Sequence, residues 1–215
     1  MGARSWWFAL AALALALACY YLPWYDHSTA AFTLHAYDLA EWTSLHPAVR
    51  AETPALWTSL LLRLPQITLV WAGALLANVG PGPRLRTLVR VTAFLVALRF
   101  VPPREFLGTA AADPNYRQMA ALTTAGLAGI LLAVLVQRLP GRWQFLVAAG
   151  LALVGVLAGW WGMTRVYPLL DNFQIEARIG AGAVGYTLFC LAGAGILALN
   201  AQQSGPSGGL NKKGG

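Results

Sequence analysis

The stretch PALWTSLLLRLPQITLVWAGALLANV, residues 54–79, carries a single charged side chain, Arg63. A helix needs about 20 apolar residues to cross the hydrocarbon core of a bilayer. The stretch is therefore long enough and apolar enough to span a membrane, and the remainder of the chain can be interpreted outward from it.

The composition of the whole chain also indicates a protein of the lipid bilayer. Of its 215 residues, 58% are hydrophobic and 11% are charged, whereas an ordinary soluble domain has about 25% charged residues. The net charge of +7 does not indicate nucleic acid, because the basic residues lie between apolar runs and no nucleic-acid-binding motif is visible. We expect an integral membrane protein whose partners are the lipid bilayer and other membrane subunits, with no nucleic acid.

Six apolar segments predict an all-α fold of six transmembrane helices arranged as three hairpins. The segments are 6–21, 54–79, 85–101, 119–136, 143–163 and 180–200. The third is the weakest, because Arg90 and Arg99 interrupt it and must snorkel to opposite surfaces. The predicted organisation is one transmembrane domain over 1–200, with outer loops at about 22–53, 102–118 and 164–179, followed by a flexible Gly/Ser-rich cytoplasmic tail over 201–215.

The charges predict the orientation of these segments. The connectors 81–90 and 137–142 and the two chain ends contain basic residues and no acidic ones: Arg4, Arg84, Arg86, Arg90, Arg138, Arg142, Lys212 and Lys213. All eight acidic residues fall in the three outer loops. Since short cytoplasmic loops are enriched in Lys and Arg, both termini are predicted to be cytoplasmic. We expect the protein in the cytoplasmic membrane of a bacterium.

The first segment also has some features of a secretory signal. Residues 16–19 read ALAC, a loose match to a lipoprotein-type cleavage site, in which Ala16 stands where Leu is usual. We favour a helix that is retained.

The first outer loop contains a short amphipathic pattern at residues 33–45. Leu34, Tyr37 and Leu45 share one side of the predicted helix, while His35, Asp38 and His46 approach the other; Pro47 ends it. Trp and Tyr rings flank the loop, as is typical of the headgroup layer. The pattern predicts a helix that lies on the outer membrane surface.

All three histidines of the chain lie in this loop, and they are the candidate ligands of a metal or cofactor. His27, His35 and Asp38 form the candidate metal set, with His46 as a less suitable addition. The spacing contains no HExxH or CxxC motif and no histidine pair at i, i+3 or i+4. We therefore favour solvated interfacial polar residues, and expect no cofactor.

Arg63 is the candidate site for an anion or a lipid headgroup, because it lies about nine residues into the second apolar segment. A buried guanidinium is costly, by about 2.5–3.5 kcal/mol on insertion scales, so it requires a partner or a wet cavity. The alternative is a structural role in which Arg63 extends outward to Glu41, Glu52 or Glu105. We favour the structural role.

Small residues in the last two segments predict close helix packing. Gly155 and Gly159 form a GxxxG pair, and Ala181 and Gly185 form a similar small-residue pair. Packing within the chain is favoured over packing against a partner subunit.

No nucleotide-binding or hydrolase motif is present, and no nucleophile is paired with a base, so an enzyme is not expected. The favoured function is a noncatalytic integral membrane subunit or scaffold within a larger complex, for which an energy-transducing complex is one candidate. A small carrier or channel for an anionic solute, using Arg63, is the first alternative. An outer-face metal- or cofactor-binding protein, using His27, His35 and His46, is the second.

Overall fold

The computed structural model describes residues 3–27, 33–172 and 177–204. Within these ranges the chain forms eight α-helices: α1 Ala3–Tyr20, α2 Ala36–Leu45, α3 Pro47–Arg50, α4 Trp57–Asn78, α5 Pro83–Ala97, α6 Pro114–Leu135, α7 Gly141–Asp171 and α8 Ala181–Gln203. Three short strands accompany them: β1 Pro23–His27, β2 Leu34–His35 and β3 Ala177–Ile179. Short 3₁₀ turns follow α5 and α6 at Leu98–Phe100 and Val136–Arg138, and a third lies at Arg104–Leu107. Of the predicted tail, residues 205–215 lie outside the described ranges.

Four helices are long enough and apolar enough to cross a membrane: Trp57–Asn78, Pro114–Arg138, Gly141–Asp171 and Ala181–Gln203. They correspond to the second, fourth, fifth and sixth predicted segments. The apolar part of α1, Arg4–Tyr20, is shorter, and α5 has 15 residues that include three arginines. The chain is thus a mostly helical protein with four candidate membrane-spanning helices.

Helix α4 is the central helix, against which α1, α2, α5, α6 and α7 pack. Within its membrane-length window 78% of the residues are buried, compared with 22% in α6. Side chains of α1 and α8 donate hydrogen bonds to α4 carbonyls: Trp6 Nε1 to Leu76 (3.0 Å), Tyr20 to Leu62 (3.0 Å) and Tyr186 to Pro65 (3.3 Å). In the other direction, Asn78 Nδ2 of α4 donates to the Ala133 carbonyl of α6 (2.7 Å).

A small antiparallel sheet, in the order β2-β1-β3, closes one end of the helices. It joins the chain leaving α1 to the segment preceding α8, and the Gly180 amide donates to the Trp24 carbonyl (2.8 Å). The all-α prediction omitted this sheet. Extended pairing satisfies the backbone groups of a chain that leaves one helix and must reach the next.

The predicted interfacial helix at 33–45 is present as α2, but it starts at Ala36 because Leu34 and His35 form β2. Its buried residues are Ala36, Leu39, Ala40, Thr43 and Ser44, and it packs on α4. Of the predicted apolar side, Leu45 is 71% exposed, and Leu34 and Tyr37 are half-buried. Four of the five buried residues of α2 are small, which allows α2 to approach α4 closely.

The GxxxG pair of α7 faces the interior of this chain. A Cβ atom added at Gly159 would lie 2.7 Å from the Trp24 ring, and one added at Gly155 would collide with the hydroxyls of Thr68 and Tyr186. In α8, a Cβ at Gly185 would lie 2.7 Å from Cys19 Sγ, whereas Ala181 is exposed. Both glycines of the GxxxG pair thus provide room for internal packing.

This packing predicts that alanine substitutions at two glycines of α7 change the stability in opposite directions. Gly159→Ala should lower stability by about 1–3 kcal/mol, because the buried Trp24 ring has little room to move away from the new methyl group. Gly150→Ala meets nothing within 4 Å and should raise stability by up to about 1 kcal/mol through better helix propensity. Thermal unfolding of both variants in detergent measures the difference, and equal melting temperatures would contradict the packing.

Candidate functional site

Arg63 lies in the second turn of α4, and its side chain is fully buried. Its Nη2 atom donates to Glu41 Oε1 of α2 and to Asn115 Oδ1 of α6, each at 2.7 Å. Its Nη1 atom donates to Gln118 Oε1 of α6, also at 2.7 Å. We call Glu41, Arg63, Asn115 and Gln118 the Arg63 cluster. One guanidinium therefore fastens three helices together at one end of the molecule.

The beginning of α6 places the two amides of the cluster. Asp113 caps this helix, and its Oδ1 accepts from the backbone amides of Asn115 (2.8 Å) and Tyr116 (3.4 Å). Pro114 occupies the first turn, where the missing N–H costs nothing. Asn115 and Gln118 are three residues apart and therefore share the helix face that meets Arg63.

Sequence reasoning named Glu41 as one of three carboxylates that Arg63 could reach, and the structure pairs the two. The Arg63 guanidinium is fully buried where it meets Glu41, whereas the Glu41 side chain is partly exposed. Asn115 and Gln118 were missed. The Asp-Pro sequence at 113–114 marks the start of a helix, and two amides at a spacing of three in its first turns could have indicated a polar face.

Electrostatically, the Arg63 cluster is only partly removed from water. The Glu41 side chain is 35% exposed, while that of Arg63 is at 0%. Arg63 Nε has no hydrogen-bond acceptor among the described residues. The pair therefore has one solvated partner and one buried partner, and the buried cation depends on the carboxylate and the two amides for its stabilisation.

Two more ion pairs fasten the same end. Arg50 of α3 contacts Asp113 at 2.8 Å, and Arg165 of α7 contacts Glu52 at 2.7 Å. Thr58 at the start of α4 donates its backbone amide (2.8 Å) and its hydroxyl to Glu52. Burial raises the pKa of the Glu52 carboxyl, but the hydrogen bonds from Thr58 and Arg165 outweigh that effect and hold the pKa below its ordinary value.

Two of the candidate metal ligands cap helices. His35 Nδ1 accepts from the Asp38 amide (3.2 Å) at the start of α2, and His46 Nδ1 accepts from the Ala48 amide (3.2 Å) at the start of α3. His35 Nε2 also lies 3.1 Å from Asp38 Oδ2. His27 ends β1, where its partner residue is Ala177 of β3. No group of three or more His, Cys, Asp or Glu in the described ranges could hold a metal ion.

The capping role of the histidines was missed from the sequence. Pro47 directly after His46 indicates a first helical position, which makes the residue before it an N-cap candidate. Histidine is not among the usual capping residues, so the pattern is weak.

Comparison of the chain with models of protein families, with curated proteins and with solved structures finds no match.

The Arg63 cluster predicts a specific cost for neutralising Glu41. Glu41→Gln should lower the free energy of unfolding by on the order of 2 kcal/mol, because Arg63 remains buried without its counter-charge while water still reaches the mutated side chain. Glu105→Gln removes the same charge from an exposed position and should have little effect. Chemical unfolding of both variants in detergent measures the difference. Equal stabilities would show that the ion pair is not needed to hold α2 and α6 on α4.

The Glu52 contacts predict a pH dependence. Because the folded-state pKa is lowered, the carboxylate stabilises the fold above its unfolded pKa of about 4.3, and this stabilisation is lost as the pH falls further through the folded-state value. Glu52→Gln should therefore flatten the decline of the melting temperature below about pH 4. A variant whose melting temperature falls as steeply as that of the wild type would contradict this assignment.

Proposed function

We propose that the chain is a noncatalytic integral membrane subunit, a scaffold within a larger complex of the cytoplasmic membrane. The observation that carries the proposal is the set of hydrogen bonds that Arg63 makes. The fully buried guanidinium of Arg63 donates its hydrogen bonds to side chains of α2 and α6. Because both terminal nitrogens of Arg63 donate to protein acceptors, its contacts support a structural role.

The proposal includes six crossings with both termini cytoplasmic. Helix α1 has 18 residues, so it is about 27 Å long, close to the hydrocarbon thickness of about 30 Å. Helix α5 is about 22 Å long and is extended by the 3₁₀ turn at Leu98–Phe100. Support for the orientation comes from the charges, because the ion pairs that Arg50, Arg63 and Arg165 form lie at the end predicted to be outside.

A scaffold needs an outward surface that other membrane subunits can cover, and α6 offers one. Only 22% of its membrane-length window is buried within this chain. Leu131, Leu132 and Leu135 are each at least 58% exposed. Within a bilayer such a face packs equally well against lipid or against a neighbouring helix.

The scaffold proposal is tested in intact membranes. Cross-linking before solubilisation, followed by purification in a mild detergent and native mass spectrometry, should give an assembly heavier than the 23.0 kDa chain, with a second membrane protein in a fixed ratio. Cross-linking before lysis excludes partners acquired later. A chain recovered only as free monomers or as homo-oligomers would overturn the proposal.

An anion carrier is the second candidate, favoured by the partial exposure of Glu41 beside the Arg63 guanidinium, whose Nε lacks an acceptor in the described part of the chain. An anion would have to displace the Glu41 carboxylate. The purified chain in liposomes should then support anion flux that Arg63→Gln abolishes and Arg117→Gln, at the same end, retains. If the chain is a scaffold, neither the wild type nor the Arg117→Gln control shows flux.

A further inference from the structure

An apolar groove runs along the outside of α4, between α1 and α5. Both helices pack on α4, and the space between them measures about 330 Å³ and is half-open to the surroundings. Its lining residues on the three helices include Leu13, Leu17, Leu69, Gly73, Val89 and Val96. This volume lies in the range of small-molecule sites, but its lining is suited only to hydrocarbon.

The dimensions of the groove favour a single hydrocarbon chain as its occupant. The lining residues of α5 run from Leu85 to Val96, a length of about 16 Å. An acyl chain can lie along this length.

A basic depression adjoins the groove at Leu85. Leu85 lines both the groove and a shallow depression formed by residues 81–85, which includes the exposed Arg84. The next arginine, Arg86, donates Nε to the Gly80 carbonyl (2.9 Å). Gly82, which caps α5, offers no side-chain acceptor to the first amides of the helix. The sequence has no acidic residue between Glu52 and Glu105, so the charged residues of this stretch are all basic.

We propose that the groove and the depression together form a binding site for an anionic phospholipid. One acyl chain fills the groove, and the phosphate lies beside Arg84 and Arg86. A basic cluster at the end of an apolar groove is complementary to the charge and shape of such a lipid. The inference rests on the membrane location proposed above, but it does not depend on a partner subunit.

The acyl-chain part is tested at Gly73, which lies on the floor of the groove. A Cβ added there meets nothing within 4 Å, so Gly73→Leu fills the groove without a clash in the chain. Gly150→Leu on α7 is the matched control, since its Cβ also meets open space. Native mass spectrometry of the purified chain, titrated with phosphatidylglycerol, should show loss of the tightly bound lipid for Gly73→Leu and wild-type binding for Gly150→Leu.

The headgroup part is tested with paired arginines. Arg84→Gln combined with Arg86→Gln should weaken phosphatidylglycerol binding by about 25-fold, because two basic residues near an anionic headgroup usually contribute about that factor. Binding of zwitterionic phosphatidylcholine should weaken much less, because its choline ammonium offsets the charge of its phosphate. Arg138→Gln combined with Arg142→Gln removes equal charge from the other arginine-rich connector and should leave both affinities unchanged. Equal weakening by the two pairs would show diffuse surface attraction, and would overturn the site.

Unfolding temperatures of all four variants separate lost binding from lost folding. Retained phosphatidylglycerol binding in folded Gly73→Leu would also overturn the proposal, and so would a Gly73→Leu variant that loses a co-purifying protein but keeps its lipid, because the occupant would then be a helix. Since the binding measurement uses the isolated chain, its failure leaves the scaffold proposal standing. Failure to find a partner subunit likewise leaves the lipid site standing.

Discussion

A guanidinium placed in the second turn of the central helix constrains the end of this protein at which α2 and the start of α6 meet α4. Burying Arg63 is unfavourable unless acceptors surround it. The acceptors come from Glu41 of α2 and from Asn115 and Gln118 of α6. Helices separated widely in the sequence are thereby required to meet at one point. The loop after α1 folds back onto α4, where its Glu41 carboxylate accepts a hydrogen bond from Arg63.

The remainder of the bundle follows from how helices associate in a bilayer. Hydrocarbon solvates leucine as well as a protein interior does, so association depends on close contact and on interhelical hydrogen bonds. Helix α4 has both. Trp6, Tyr20 and Tyr186 donate to its carbonyls, while Gly155 and Gly159 let α7 approach it. These contacts are distributed along α4, so no single neighbour positions it.

Sequence reasoning was reliable where composition and charge decide the structure, and weaker where distant segments meet. The apolar lengths of four spans and the pairing of Arg63 with Glu41 could be anticipated, because a long apolar run needs a bilayer and a buried cation needs an acid. The sheet could not, since it pairs Tyr25 with Ile179, which lies far along the chain, and its strands are too short to show a period of two. The helix-capping role of His35 and His46 could not be anticipated either, because histidine is not among the usual capping residues.

The two ends of the molecule differ in how their charges are balanced. At the end that carries the Arg63 cluster, Arg50, Arg63 and Arg165 each meet a carboxylate. At the other end the identified contacts are neutral: Arg90 donates to the Asn78 side chain, Arg86 to the Gly80 carbonyl, and Arg142 lies over the Trp143 ring.

Neutral partners orient a guanidinium but leave its charge uncompensated. Guanidinium groups pair with phosphate through planar, two-pronged hydrogen bonding, so arginine is better suited than lysine to an interface that meets phosphates. Because the sequence has no acid between Glu52 and Glu105, the compensating charge for Arg84, Arg86 and Arg90 must come from beyond this stretch of chain. At the proposed lipid site, an anionic headgroup supplies that charge.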